Sequence, residues 1–258
     1  MRPVQTIWKS IWPPLVAVIL FLAVWETLVS AFHIENWILP SPSAVAHEAV
    51  SGASGLWADT RATLKLTLIG FGVGSAVGLL IAIVLHRIPF VKSALYPLLI
   101  LSQNVPTIAL GPLLMIWFGF GLLPKIILIT LVCFFPVAVA TMDGLARADH
   151  VIRNYMEMAG ASKGQIFRKL EFPAAISSIL SGLKISATYS VMGAIISEWL
   201  GASEGIGYYM KLQKSSFRTD RVFLAIAVIV VISLAMFLCV ALLERLLSRY
   251  RPPRKQGE

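Results

Sequence analysis

Few residues in this chain could do chemistry, and their types narrow what that chemistry can be. Gln103 and Asn104 stand together just before Pro106, while Ser186, Tyr189 and Ser190 punctuate an apolar run that ends at Glu198. Amides and hydroxyls in such surroundings suit hydrogen bonding to a polar solute or to a neighbouring helix. The patterns that hold a nucleotide or break bonds are missing. There is no GxxxxGK[ST] phosphate loop, no HExxH and no GxSxG, and His33, His47, His86 and His150 are scattered without metal-ligand spacing. Cys133 and Cys239 are too far apart in sequence to read as a paired site and are expected to pack inside apolar segments. Deep carboxylates of the kind that relay protons are missing too, with Glu26 and Glu244 lying toward segment ends.

The elements that must position these groups are membrane helices. At 57% hydrophobic and 14% charged, with a mean hydropathy of +0.80, the chain is too apolar for a soluble domain of 258 residues. A span needs about 20 apolar residues, and six segments qualify: Trp12 to Phe32, Leu64 to Leu85, Ser93 to Phe118, Lys125 to Met142, Ala174 to Glu198, and Val222 to Leu243. The first has Arg2 and Lys9 before it but is too long for a signal peptide, and it lacks a convincing small-residue cleavage site. The expected architecture is an all-α bundle forming a single membrane domain over 1–258. A short interfacial helix is expected near Ser43 to Val50, and the tail RPPRKQGE has no reason to fold.

Basic residues set the expected orientation. With the N-terminus in the cytoplasm, the inner segments hold Arg2, Lys9, Arg87, Lys92, Arg147, Arg153, Lys163, Arg168, Lys169, Arg245, Arg249, Arg251, Arg254 and Lys255. Lys211, Lys214, Arg218 and Arg221 run against this assignment. The net charge of +9 is accounted for by basic ends beside anionic lipid, so no nucleic-acid partner is expected.

Within the spans, Pro97, Pro106 and Pro112 each remove a backbone donor, so the third span must bend or break where freed carbonyls find partners. Gln103 and Asn104 at that point either line a pathway or bond to neighbouring helices. Gly70, Gly74 and Gly78 form overlapping GxxxG units continued by Ala82, and Gly182, Ser186, Ser190 and Ala194 repeat the spacing in the fifth span. Both helices are expected in the tightly packed interior, with Ser186 and Ser190 either packing or meeting solute. Glu198, beside Trp199, is either solvated at an interface or functional.

The most organised polar stretch runs from Asp149 to Pro173. Val151, Ile152, Tyr155, Met156 and Ala159 fall on one helical face, with Arg153, Asn154 and Glu157 facing away. Asp149 is placed to cap the start and Gly160 to provide the left-handed exit. Ser162 and Gln165 have capping-box spacing for a second short helix, which Ile166, Phe167 and Leu170 make amphipathic beside Lys163, Arg168 and Lys169. Pro173 suits the first turn of the helix that follows. A capped, exposed amphipathic insert between spans reads as a docking loop, and with no nucleotide site in the chain it is where another chain's energy would enter.

Gly160 followed thirteen positions later by Pro173, with Leu170 between, resembles the cytoplasmic signature loop of binding-protein-dependent ABC transporter permeases: EAA, three residues, Gly, nine residues, Ile-x-Leu-Pro. LWADTRATLKLTLIGFGVG, NVPTIALGPLLMIWFGFG and ISEWLGASEGIGYYM are similar to the subgroup serving nitrate, sulfonates, taurine and thiamine-related pyrimidines, and the resemblance covers about Trp57 to Leu246. It implies a type I importer permease of the inner membrane, with both termini cytoplasmic, a core over about 57–246 and a coupling loop over about 143–173. It also implies a partner set of two ABC ATPase subunits, a second permease copy forming a homodimer, and a periplasmic or lipid-anchored solute-binding protein, in contact with membrane lipid.

Under that resemblance this chain is a transport subunit and not an enzyme, with no cofactor of its own, since ATP and Mg bind to the partner ATPase. Ile152, Asn154, Tyr155, Met156, Glu157, Ala159, Gly160, Arg168 and Pro173 are the ATPase-coupling set. Gln103, Asn104, Ser186, Tyr189, Ser190 and Glu198 are the translocation-pathway set. The chain departs from the signature where Asn154, Tyr155 and Met156 replace Glu-Ala-Ala and Phe172 replaces Leu. The tract SEWLGASEGIGYYM favours a pyrimidine or other vitamin precursor over nitrate or sulfonate. An ion-coupled secondary transporter or channel without an ATPase is the alternative, and a structural scaffold is a third reading.

Overall fold

The computed structural model describes residues 4–51 and 53–248, with side chains from Trp12 to Leu247 except at 53–54. Arg2, the Lys9 side chain, Gly52, Arg249 and the RPPRKQGE tail with its Arg251, Arg254 and Lys255 lie outside that description. The chain runs α1 (Val4–Ala31), α2 (Pro42–Ser51), α3 (Ala53–Arg87), α4 (Pro89–Ser102), α5 (Thr107–Phe118), α6 (Leu122–Ala146), α7 (His150–Met158), α8 (Lys163–Ile166), a π-helical turn (Phe167–Glu171), α9 (Phe172–Gly201), α10 (Ile206–Ser215) and α11 (Thr219–Ser248). Every described element is helical, as an apolar chain in a bilayer requires, because helices satisfy their own backbone groups.

Five helical stretches are long and apolar enough to cross a membrane, and a sixth crossing is formed if the bent α4–α5 pair counts as one span. The third span is therefore not one helix from Ser93 to Phe118. It breaks by 100° between Ser102 and Thr107, where Pro106 has no N–H to continue the ladder and instead caps α5 through its carbonyl, which accepts from Ala109 N at 2.9 Å. Pro97 and Pro112 remain inside α4 and α5. The fifth span also differs from expectation: α8, the π turn and α9 join into one apolar stretch over Lys163–Gly201, so Pro173 falls in a first turn already fed by helix. The short helix expected near Ser43 to Val50 is α2. Its start is held by Glu26, which accepts Ser43 Oγ–H at 2.8 Å and Ser43 N–H at 3.0 Å.

At the centre of the bundle is α6, gripped from two sides. A Cβ on Gly74 would sit 2.6 Å from Cys133 Cβ, and one on Gly70 would sit 2.7 Å from Ile129 Cβ; from the other side, one on Gly182 would sit 2.7 Å from Ala140 Cβ and 2.8 Å from Pro136 O. The small faces of α3 and α9 thus both close on α6, and backbone approach at this distance admits only hydrogen at those positions. Ser186 Oγ donates to Cys133 O at 3.0 Å, and Cys133 Sγ donates back to Ser186 O at 3.5 Å. Cys133 packs as expected, whereas Cys239 is exposed on the outward face of α11. The first helix stands at the edge, touching α11 through Trp25 and Phe223 with ring centroids 5.4 Å apart.

Candidate functional site

Three places gather the polar groups. The first is α7, which is built from local chemistry at both ends. Asp149 Oδ1 accepts from Val151 N at 2.8 Å and from Ile152 N at 3.4 Å. At the exit, Gly160 takes φ +80°, Gly160 N donates to Glu157 O at 3.0 Å and Ala161 N donates to Met156 O at 2.9 Å, the paired bonds of a Schellman motif. Ser162 and Gln165 then exchange both capping-box bonds, Gln165 N to Ser162 Oγ at 3.3 Å and Ser162 N to Gln165 Oε1 at 2.7 Å.

This double capping holds rigid a helix that buries none of its own residues. Val151, Ile152 and Ala159 are exposed, Met156 is half-buried, and Tyr155 and Met158 are 70% and 81% exposed. Asn154, Glu157 and Gly160 are exposed as well, as is Arg168 within the π turn, and Pro173 is half-buried. Beneath α7 lies a group that sequence reasoning missed. Glu171, 6% exposed, takes His86 at 3.0 Å and Arg153 at 3.5 Å. Next to it the Phe167 ring lies under the Arg87 guanidinium at 4.3 Å, with His86 at 6.3 Å and Phe172 at 5.9 Å between ring centroids.

The second place is a cavity of about 360 Å³ at the α4–α5 break, whose lining includes Ser102, Gln103, Thr107, Phe134, Tyr189 and Met192. Gln103 and Tyr189 therefore meet across it. Asn104 is exposed in the same break but outside the lining, with Nδ2 donating to Ile100 O at 3.4 Å. Ser186 and Ser190 are fully buried, their hydroxyls donating to Cys133 O at 3.0 Å and to Ala187 O at 2.7 Å.

The third is at the opposite end of α9. Glu198 is 2% exposed, so it is not a solvated interface acid. It accepts Thr63 Oγ1–H at 2.7 Å and Gly207 N–H at 2.7 Å. Thr63 Oγ1 in turn accepts Ile206 N–H at 2.8 Å, and Asp59 accepts Gly205 N–H at 2.7 Å. Three side chains thus satisfy the donors at the start of α10, where a carboxylate is favoured by the helix dipole. Gly205, at φ +107°, and Gly207 leave room for the Glu198 carboxylate. Beside this latch a cavity of about 460 Å³ is lined by residues that include Arg61, Lys65, Lys125, Glu198 and Glu204. Asp59, Thr63, Lys65 and Lys125 were not singled out from sequence, because their partners lie on other helices.

The nearby basic residues are partly neutralised. Arg221 reaches Glu48 at 2.6 Å, and Arg218 reaches Glu48 at 3.0 Å and Asp220 at 2.9 Å. Its hydrogen bonds to Asp220 raise the Arg218 pKa above the ordinary value, so the guanidinium stays charged. Burial likewise pushes the Tyr209 phenol up, keeping it protonated inside α10's packing face.

A family model described as binding-protein-dependent transport system inner membrane component matches residues 74–249. The chain belongs to this family. Among curated relatives, this permease is 32% identical to the formylaminopyrimidine transport permease protein ThiX of Halalkalibacterium halodurans over 92% of its own length and 95% of that protein's. It is 30% identical to the riboflavin transport system permease protein RibX of Chloroflexus aurantiacus, covering 96% of this chain and 94% of that one. Identity to the taurine transport system permease protein TauC of Escherichia coli is also 30%, over 88% and 85%. Among solved structures, the permease fold is similar to a chain of the inward-facing MetNI methionine ABC transporter, with a TM-score of 0.65 at 17% identity over 75% of this chain and 96% of that one. A chain of an amino acid ABC transporter gives 0.62 at 21% identity over 79% and 97%. The protein is thus a multi-pass inner-membrane permease subunit of an ABC importer.

Proposed function

We propose that this permease translocates a small polar solute as a homodimer driven by two ABC ATPase subunits, which hold the ATP and Mg, and supplied by a periplasmic or lipid-anchored solute-binding protein. Both termini and α7 lie on the cytoplasmic side. The observation that carries the reading is α7 itself: a doubly capped helix whose apolar side chains are exposed and which buries nothing in its own chain. Such a face is what a helix lying in a partner's groove presents. Asn154, Tyr155 and Met156 supply that contact where relatives of the signature carry Glu-Ala-Ala, with Glu157 and Arg168 at its charged edge. The orientation is supported by the ion pairs of Arg218 and Arg221, which reduce the free positive charge at the end of the bundle that opposes α7.

The solute passes the α4–α5 break, where Gln103, Thr107 and Tyr189 face a cavity large enough for a heterocycle. Ser186 and Ser190 act there through helix packing, since their hydroxyls are committed to backbone carbonyls. Similarity to ThiX favours a pyrimidine-type vitamin precursor, with nitrate, sulfonate or taurine as the other classes. Binding of formylaminopyrimidine, riboflavin and taurine to the solute-binding protein that co-purifies with the permease, measured by calorimetry, tests that choice.

The coupling reading is tested at Gly160. A β-branched residue at φ +80° costs about 1–2 kcal/mol and unseats the Schellman exit. Gly160→Val is expected to abolish transport-linked ATP hydrolysis while the protein still reaches the membrane; normal stimulation would sink the assignment. Uptake that survives loss of the ATPase and collapses with an ion gradient would favour a secondary transporter instead.

A further inference from the structure

The helix that docks is poorly attached to the helices that must move. In α7 no residue is buried, and its packing within the chain is against the four-residue α8. What reaches from it to a buried group is Arg153, whose Nη1 lies 3.5 Å from Glu171 Oε1. The other oxygen of the same carboxylate, Oε2, lies 3.0 Å from His86 Nε2 in the last turn of α3. Glu171 itself closes the π turn that leads into α9. One carboxylate therefore joins α7, α3 and α9. The π turn adds a residue to the helical ladder at this point, a local irregularity that recurs where helices must shift.

At the other end of α9 a second carboxylate repeats the tie: Glu198 accepts from Thr63 of α3 at 2.7 Å. The two acids are separated by roughly 40 Å of helix at 1.5 Å per residue. Because α3 and α9 are clasped at both ends and close on α6 between them, a push on Glu171 displaces them together. Arg153 also holds Glu157 at 3.2 Å, so its guanidinium is aimed along α7 as well as into the bundle.

We propose that Glu171 is a positioning residue that carries displacement of α7 into the transmembrane bundle through Arg153 on one side and His86 on the other. The proposal rests on the reading of α7 as the ATPase-facing helix. It assigns to Glu171 a role distinct from docking: the ATPase binds without it, and the far end of the bundle fails to respond.

The test uses the complete permease–ATPase complex in lipid vesicles, in a Cys239→Ser background, with spin labels on Ser203→Cys, an exposed position beside Glu204. ATP with vanadate is the probe, so no solute is needed. The wild-type background is expected to show a nucleotide-linked change in label separation between the two copies. Arg153→Gln and Glu171→Gln should retain the ATPase on co-purification yet lose about ten-fold of the population that responds. The double variant should be no worse than either single one, because both remove one link, and Arg153→Lys should restore the response.

A full response in Arg153→Gln and Glu171→Gln overturns the proposal. So does loss of the ATPase from Arg153→Gln, which would place the contact in docking. Should Glu171→Gln fail to accumulate, Arg153→Gln decides alone, its side chain being half-exposed. If the unmodified background neither holds the ATPase nor responds to nucleotide, the reading of α7 falls first, and this proposal falls with it.

Discussion

Thr63 shows how much one hydroxyl can hold. It donates to Glu198 while accepting from Ile206 N–H, so removing it leaves a buried carboxylate oxygen and a backbone donor short of partners. Thr63→Val keeps the shape and is expected to cost about 1–3 kcal/mol. Hydrogen exchange at the Ile206 amide should accelerate, whereas Thr63→Ser should stay near wild type; unchanged exchange in the valine variant would remove the latch from the account. The same residue marks where sequence reading stopped. Asp149, Gly160 and the Ser162–Gln165 pair were legible because their partners lie within a few positions and their geometry is local. Thr63 and Glu198 are 135 positions apart, and His86 and Glu171 are 85 apart, so no spacing rule links them. Glu198 stood out as an acid in an apolar run, but its two donors could be found only in three dimensions.

Helices tell a related story. The GxxxG run of α3 and the small-residue run of α9 announced close approach, and both were expected inside. What they did not announce was a common partner, because α6 meets α3 with the larger Ile129, Cys133 and Val137, while Ala140 and Gly144, which close on α9, are too short a pair to single out in sequence. A glycine says that a backbone comes near and is silent about which one. Gly182→Val should therefore clash with Ala140 and Pro136 across that contact and lower stability by about 1–3 kcal/mol, read as a lower thermal unfolding midpoint in detergent. Gly72, which has open space around it, should tolerate alanine with a much smaller change. Proline likewise predicted a disturbed third span without fixing its size: Pro106 breaks it by 100°, while Pro97 and Pro112 are absorbed.

For the whole molecule, the direction of insertion is the property that composition argued and family membership leaves to experiment. Lys92 lies near the start of α4, just after α3 ends, and Ser203 lies in the turn before α10; both are exposed. In cells carrying Cys239→Ser, a membrane-impermeant maleimide is expected to label Ser203→Cys from outside and Lys92→Cys only after permeabilisation. The reverse pattern would invert the bundle and place α7 outside, where no ATPase could reach it. Buried Cys133 should remain silent in both.

The grip on α6 also limits how the protein can work. Glycines of α3 on one side and of α9 on the other sit against individual backbone and Cβ atoms of α6, and the Ser186–Cys133 exchange bolts one of these faces in place. Sliding any of the three helices by one residue, about 1.5 Å, would drive a side chain into each of those slots. The trio thus behaves as a keyed block with a single seating. If the permease works as the proposed homodimer, alternation between two open states falls where one such block rolls against its twin, and the lubricated surface of the machine is the seam between copies and not the inside of either one.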